Sequence, residues 1–227
     1  DFLVQDLSSK MPLLGTKILV TAGPTYEPLD PVRYIGNYSS GKMGYAIANE
    51  AASQGAEVIL VSGPADDLAI HPRVTLLQTK TADDMHNVCM RHFEDCNILV
   101  MAAAVADYKP KHMAEGKIKK EEEITSVELV KTVDILESLG KKKTNQVLVG
   151  FALETDNELS NAKEKIKKKN LDAIILNSLA DKGAGFQHAT NKITFIPAMG
   201  EHTAYPLKDK SEVAVDILTQ IKTMIDA

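Results

Sequence analysis

Short, nearly unbroken apolar runs recur along the chain, and most are followed by a stretch with helical spacing. Residues 18–22 form the first run; residues 45–52, good helix formers with apolar positions at helical period, form the first such stretch. Residues 57–61, ended by Ser62-Gly63-Pro64, then 74–78, 97–104, 147–151 and 173–176 continue the series of strands. Residues 82–93, with Thr81 placed to cap them, 156–169 and 209–225 supply further helices. Strands that are apolar at almost every position are buried on both faces, and their alternation with helices builds a parallel sheet covered on each side. The pattern predicts an α/β class fold: a Rossmann-like, doubly wound, mostly parallel sheet.

Four segments break the alternation. Residues 1–16 lack periodicity and read as a linker or N-terminal arm ahead of a single domain at 17–227. Residues 23–40 make a long loop, where about two to six residues usually join strand to helix, and Pro24, Pro28 and Pro31 stiffen it. Residues 108–131 carry Lys109, Lys111, Lys117, Lys119 and Lys120, then three glutamates, then an apolar stretch from Ile124 to Val130. This predicts a mobile basic flap leading into a strand. Residues 191–206 read as an added β-hairpin turning at 199–202.

Composition narrows the function classes. With 227 residues and 44% hydrophobic content the chain builds a sizeable core, and the absence of Trp makes that core aliphatic. A net charge of −5 argues against a general nucleic-acid binder. Cys89 and Cys96 fit neither a disulfide framework nor a common zinc spacing, and read as reduced thiols of a cytoplasmic protein. The six histidines show no paired ligand spacing. No apolar run reaches the roughly 18 residues of a membrane span. No signal peptide is visible, and the chain opens at Asp1 without Met, as a fragment would.

The candidate chemistry gathers where strands end. Ser39-Ser40-Gly41 precedes the first helix, and unpaired N–H groups with the helix dipole favour an anion there. Ser39 and Ser40 either cap the helix or meet a phosphate, and Gly41 lets a ligand approach the backbone. The fourth strand runs into Ala102-Ala103-Ala104-Val105-Ala106-Asp107, small residues against which a ligand can lie. Asp107 suits a ligand contact, a divalent cation or the cap of the next turn. Phe151 follows Gly150 at the same sheet edge and either stacks on a base or packs in the core. Lys117 to Lys120 either swing over a bound triphosphate or stay solvated. Lys165 and Lys169, four apart, share one helix face.

Taken in order, Thr21-Ala22-Gly23-Pro24-Thr25, residues 30–35 with Asn37, Ser39 to Gly44, Ala103 to Tyr108, Lys117-Ile118-Lys119-Lys120 and Gly150-Phe151-Ala152-x-Glu154-Thr155 resemble bacterial phosphopantothenate–cysteine ligase. The resemblance covers roughly residues 15–225. It implies activation of 4′-phosphopantothenate by CTP to an acyl-cytidylate with release of pyrophosphate, then attack by the amine of L-cysteine with release of CMP. It implies Mg2+ with the nucleotide, and Asp107 is the candidate residue to hold it. By position it assigns Asn37 and Lys117 to catalysis. Met101, Ala102, Ala103, Asp107, Lys117, Val133, Asp134, Ile135, Leu136, Phe151, Lys165 and Lys169 fall to the nucleotide. Arg33, Asn37, Ser39, Ser40, Gly41, Ala103 and Ala104 fall to the acid substrate, although the phosphate met by Ser39-Ser40-Gly41 stays open between the two substrates. Homodimers, with the 191–206 hairpin as a candidate interface, and fusion to a phosphopantothenoylcysteine decarboxylase domain are also implied. The sequence departs from the family pattern at Gly36, Tyr38, Thr132-Val133, Leu153 and Ser178.

Two other readings share the fold. Tyr38-x-x-x-Lys42 has the spacing of a short-chain dehydrogenase, yet the first turn lacks G-x-G-x-x-G and the second strand ends without an acid for a ribose hydroxyl. A non-catalytic nucleotide-binding module is the other, since fold does not decide function.

Overall fold

The computed structural model describes residues 11–65, 68–119, 126–154, 157–178 and 188–226. In chain order it runs β1 (Lys17–Ala22), β2 (Tyr26–Pro28), β3 (Tyr34–Gly36), α1 (Lys42–Ser53), β4 (Glu57–Ser62), β5 (Val74–Gln78) and α2 (Ala82–His92). Next come β6 (Ile98–Met101), β7 (Tyr108–Pro110), β8 (Leu129–Lys131), α3 (Ile135–Lys142), β9 (Val147–Glu154), α4 (Glu158–Lys169) and β10 (Ala173–Ser178). The chain closes with β11 (Thr190–Asn191), β12 (Ile193–Pro197), β13 (Thr203–Ala204), β14 (Lys208–Asp209) and α5 (Lys210–Ile225).

Eight strands form one sheet in the order β13-β12-β10-β9-β6-β1-β4-β5. The six from β10 to β5 are parallel, and β12 and β13 extend the β10 edge antiparallel. From β1 the chain winds one way through β4 to β5, then returns to β6 on the other side and continues through β9 to β10. This is a Rossmann-like α/β fold whose order reverses between β1 and β6, and a crevice outside the carboxyl ends of those two strands follows from that reversal.

Period-two burial divides each strand between two cores. Ile18, Val20 and Ala22 face α1 and α5, packing with Ile47, Ala51, Val213 and Ile217. Leu19 faces the other way, toward Met85 and Phe93 of the α2 region, Leu139 of α3 and Ile166 of α4. Gly44 lets α1 settle close on β1: a Cβ there would stand 2.6 Å from the Ala22 Cβ and 2.8 Å from the Thr21 carbonyl oxygen. Gly44→Ala is expected to destabilise the fold by about 1–3 kcal/mol through overpacking. A lower urea midpoint at unchanged slope is the expected readout, and an unchanged midpoint would mean that α1 lifts off at no cost.

Several expectations need correction. The long loop at 23–40 contains the β2–β3 hairpin, with Tyr26 stacked on Tyr34 at 3.8 Å between ring centroids. The strand expected at 124–130 is shorter and shifted, as β8, and pairs with β7; residues 120–125 lie outside the described residues. The fourth strand stops at Met101 instead of 104, because Ala104 leaves the sheet to bridge Pro24. Helix α3 has no counterpart among the expected elements. The expected hairpin at 191–206 is real, yet it extends the main sheet, and Thr190–Asn191 pairs separately with Lys208–Asp209. Of the expected N-terminal arm, Leu13 is buried against the α1 core and its N–H donates to the Gln54 carbonyl.

Candidate active-site cleft

A cleft of about 910 Å3 opens at the carboxyl ends of the parallel strands, where the strand order reverses. Its floor is built from β1, β6, β9 and β10 through Thr21, Met101, Phe151 and Asn177. Two buried threonines fix that floor. Thr21 Oγ1 accepts the Ala103 N–H at 3.1 Å, and Thr25 Oγ1 accepts the Ala106 N–H at 3.0 Å. Thr132 closes the third side, donating from Oγ1 to the Ala106 carbonyl at 2.5 Å and from N–H to the Asp107 carbonyl. The segment 102–107 is thus held from three directions with small side chains toward the ligand space, an arrangement that positions backbone atoms before any ligand arrives.

Asn37 reaches the same cleft from the β3–α1 loop, and its Nδ2 donates to the Val105 carbonyl at 2.9 Å. That bond fixes the amide orientation and leaves Oδ1 without a partner among the described residues. The opposite wall comes from α3 and α4. Asp134 caps α3 by accepting the Glu137 N–H at 2.9 Å, and it pairs with Lys169 at 2.8 Å. Burial opposes ionisation of Asp134, but Lys169 and the Glu137 amide outweigh it and hold the carboxyl below its usual range.

Of the residues singled out from sequence, Asn37, Ser39, Met101, Ala102, Ala103, Ala104 and Asp107 line this cleft. So do Val133, Asp134, Ile135, Leu136, Phe151, Lys165 and Lys169. Four do not. Ser40 and Gly41 stand just behind the lining, and Gly41 is itself the N-cap of α1, in a left-handed conformation with φ 74°. The expected serine cap is therefore absent: Ser39 Oγ accepts the Gly41 N–H at 3.3 Å, and neither serine side chain caps the helix. Lys117 is exposed and outside the lining. Arg33 is turned to Asp30, donating from Nε at 2.9 Å and from NH2 at 2.5 Å to Oδ2.

That Asp30–Arg33 pair grips the peptide after Lys117: the Ile118 N–H donates to Asp30 and the Ile118 carbonyl accepts from Arg33. Glu27 and Thr25, both on or beside β2, are structural. Glu27 is buried and accepts the N–H of Ala82, the first residue of α2. Sequence reasoning missed Tyr38, Met43, Lys131, Asn177 and Asn191 as lining residues; only the assembled sheet edge brings them together.

Cys89 and Cys96 are buried free thiols. Burial pushes Cys89 up to about 12 and Cys96 to about 11, so neither supplies a thiolate at neutral pH. Among the described residues no cluster of three or more His, Cys, Asp or Glu is placed to hold a metal, and no helix is long and apolar enough to cross a membrane.

The chain matches the family described as DNA/pantothenate metabolism flavoprotein C-terminal domain over residues 13–225. It is 47% identical over 218 residues to a protein named Cysteine/Cysteine sulfinic acid decarboxylase from an unknown prokaryotic organism, covering 96% of this chain and 61% of that protein. It is 40% identical over 213 residues to the Coenzyme A biosynthesis bifunctional protein CoaBC of Bacillus subtilis (strain 168), covering 94% of this chain and 52% of that one. The chain thus spans between half and two thirds of these relatives' lengths. The crystal structure of the C-terminal domain of a CoaBC protein superposes with a TM-score of 0.82 at 42% identity, covering 95% of this chain and 98% of that domain.

Proposed function

The chain belongs to the DNA/pantothenate metabolism flavoprotein C-terminal domain family, and we propose that its cleft joins L-cysteine to 4′-phosphopantothenate using CTP, a step of coenzyme A biosynthesis. The reading rests on the Asn37–Val105 hydrogen bond, which brings the β3–α1 loop and the small-residue segment after β6 into one ligand space. The likeness to CoaBC proteins supports it.

In this reading the substrate carboxylate attacks the α-phosphorus of CTP, forming an acyl–phosphate bond as pyrophosphate leaves. The cysteine amine then attacks the acyl carbon, the C–O bond to CMP breaks and the amine proton is lost. The Asn37 amide, held by Val105, orients the acyl carbonyl for that attack. Lys165 and Lys169 offset nucleotide charge, and Phe151 supplies an aromatic face to the base. Lys117 closes on the triphosphate from the 111–119 segment, which Asp30 and Arg33 anchor through Ile118. Mg2+ fits this donor set, since it is commonly held by one or two carboxylates together with substrate phosphates, and Asp107 on the cleft rim is the residue to hold it. Mg2+ would supply charge neutralisation on the triphosphate.

We place the enzyme in the cytoplasm as a homodimer, on its own or fused to a phosphopantothenoylcysteine decarboxylase domain. Val32, Tyr34, Tyr38, Tyr108 and Leu129 expose apolar surface on and beside the β2–β3 and β7–β8 hairpins. That surface is a second candidate for the contact between copies, beside the 191–206 hairpin, whose sheet edge is a two-residue strand.

The test is pyrophosphate release with 4′-phosphopantothenate, Mg2+ and L-cysteine, comparing CTP with ATP. Phosphopantothenate-dependent release with CTP, and an amide product by mass spectrometry, is the expected result. Release of CO2 from cysteine alone would favour the chemistry in the name of the decarboxylase relative, and silence in both assays would favour a binding module.

A further inference from the structure

Among the described residues three lysines line the cleft, Lys131, Lys165 and Lys169. Lys165 and Lys169 stand on α4, and Lys169 is already paired with Asp134 at 2.8 Å. Lys131 is the last residue of β8. Of the lysines on and beside the β7–β8 sheet, Lys109 pairs with Asp83 and Lys111 with Glu128. Lys131 has no hydrogen-bond or ion-pair partner among the described residues. Its register partner on β7 is Tyr108. Residues directly opposite on antiparallel strands put their side chains on one face, and both of these line the cleft. The Tyr108 hydroxyl is likewise without a partner among the described residues. An ammonium and a phenol O–H therefore stand side by side on the cleft rim. The residue after Lys131, Thr132, is bound to the Ala106 and Asp107 carbonyls, while Asn37 is bound to the Val105 carbonyl. Lys131 and Asn37 are thus tied to neighbouring peptides of one held segment.

We propose that Lys131 and the Tyr108 hydroxyl form the subsite for the carboxylate of the amino-acid substrate, and that this subsite makes the cleft select an α-amino acid over a simple amine. The inference rests on the ligase reading of the cleft. In that reading the amine of L-cysteine attacks an acyl carbon beside Asn37, and the carboxylate sits on the same carbon as that amine. Its recognition must therefore fall close to Asn37, within reach of a side chain anchored to the adjoining peptide. Lysine suits the task, being a compact charge on a flexible four-carbon stem that turns its donors to a carboxylate. A charge-assisted hydrogen bond from Lys131, with a second from the phenol, gives the carboxylate a worth that a neutral substituent cannot match. The nucleotide charge has its own cations, since Lys165 and Lys169 stand apart on α4.

Steady-state kinetics of amide formation with L-cysteine and with cysteamine, which keeps the amine and the thiol and lacks the carboxylate, tests this. CTP, Mg2+ and 4′-phosphopantothenate are supplied in both series, and mass spectrometry identifies the product. Lys131→Met is expected to raise KM for L-cysteine about tenfold, with kcat and the KM values for CTP and 4′-phosphopantothenate within about twofold. Its kcat/KM for cysteamine should stay within about twofold of wild type, so that the preference for L-cysteine falls about tenfold. Tyr108→Phe is expected to lower the same preference about threefold. Lys131→Arg, which keeps the charge, should retain most of it. Pyrophosphate release before cysteine is added should be unchanged in all three variants. Equal losses with L-cysteine and cysteamine, or an unchanged KM for L-cysteine, would overturn the proposal. A raised KM for CTP in its place would give Lys131 to the triphosphate and overturn it as well. Should wild type turn cysteamine over too slowly to measure, the KM for L-cysteine set against those for CTP and the acid decides alone. Wild-type protein that forms no amide with L-cysteine would sink the ligase reading, and this inference with it.

Discussion

Asn37→Asp is expected to leave pyrophosphate release close to wild type and to slow amide formation about a hundredfold, so that acyl-cytidylate accumulates. The substitution keeps size and shape and exchanges the Nδ2 donor for an oxygen. In the native protein that donor is spent on the Val105 carbonyl at 2.9 Å. A carboxylate oxygen there faces a carbonyl oxygen, and the side chain must turn away. In the proposed reaction the first half-reaction depends on meeting the α-phosphate, where Lys165 and Lys169 of α4 offset the charge. The second depends on a correctly turned acyl carbonyl, and a negative charge beside a departing phosphate opposes it further. Rapid-quench analysis resolves the two steps, and equal slowing of both would show that Asn37 merely binds substrate.

The sheet was legible because parallel strands buried on two faces leave nearly unbroken apolar runs, although the small apolar loop residues 102–104 lengthened one of them. All six, from 18–22 to 173–176, are strands of the structure. The two small sheets β2–β3 and β7–β8 were not. Strands β2 and β3 have three residues each and carry Pro28 and Gly36, which local reasoning assigns to loops. Strands β7 and β8 lie far apart in sequence, and Lys111 and Glu128 meet across them only in three dimensions. Helix α3 was hidden by its brevity and by Gly140, a weak helix former that the packing requires: a Cβ there would stand 1.9 Å from the Lys169 carbonyl oxygen.

The site divides in the same way. Residues at strand ends, such as Met101 to Asp107 and Phe151, were found because the ends of parallel strands converge. Asn177 and Asn191 gave no local signal, since the 3.2 Å hydrogen bond between them joins the main sheet to a separate two-stranded one. Arg33 stood in the right motif for a ligand contact, and nothing in the sequence says that Asp30, three residues earlier, takes both of its nitrogens.

Asp30→Asn is expected to lower turnover by about a hundredfold while changing CTP affinity far less, by loosening the segment that carries Lys117. The Asp30 side chain is fully buried, and its two oxygens accept from the Val32 and Arg33 N–H groups, the Arg33 guanidinium and the Ile118 N–H. An amide in that place turns a donor toward a guanidinium or a peptide N–H whichever way it lies. Arg33 then loses its counter-charge, and Ile118 loses both hydrogen bonds that fix the peptide next to Lys117. The same pair gives a pH signature. The Arg33 guanidinium holds the Asp30 carboxyl well below the usual carboxylate range, with burial opposing and the Val32, Ile118 and Arg33 amides assisting. A depressed folded-state value means that its stabilisation is complete above the unfolded value near about 3.9 and is lost as pH falls below it toward the folded value. Wild-type stability should therefore decline with acid in that window, and the Asn variant, with no proton to take up at this position, should decline less steeply. Parallel acid-denaturation curves with unchanged turnover would show that the Asp30–Arg33 pair is a surface ornament of the hairpin; a lost slope with a lost kcat would establish it as the anchor of the catalytic segment.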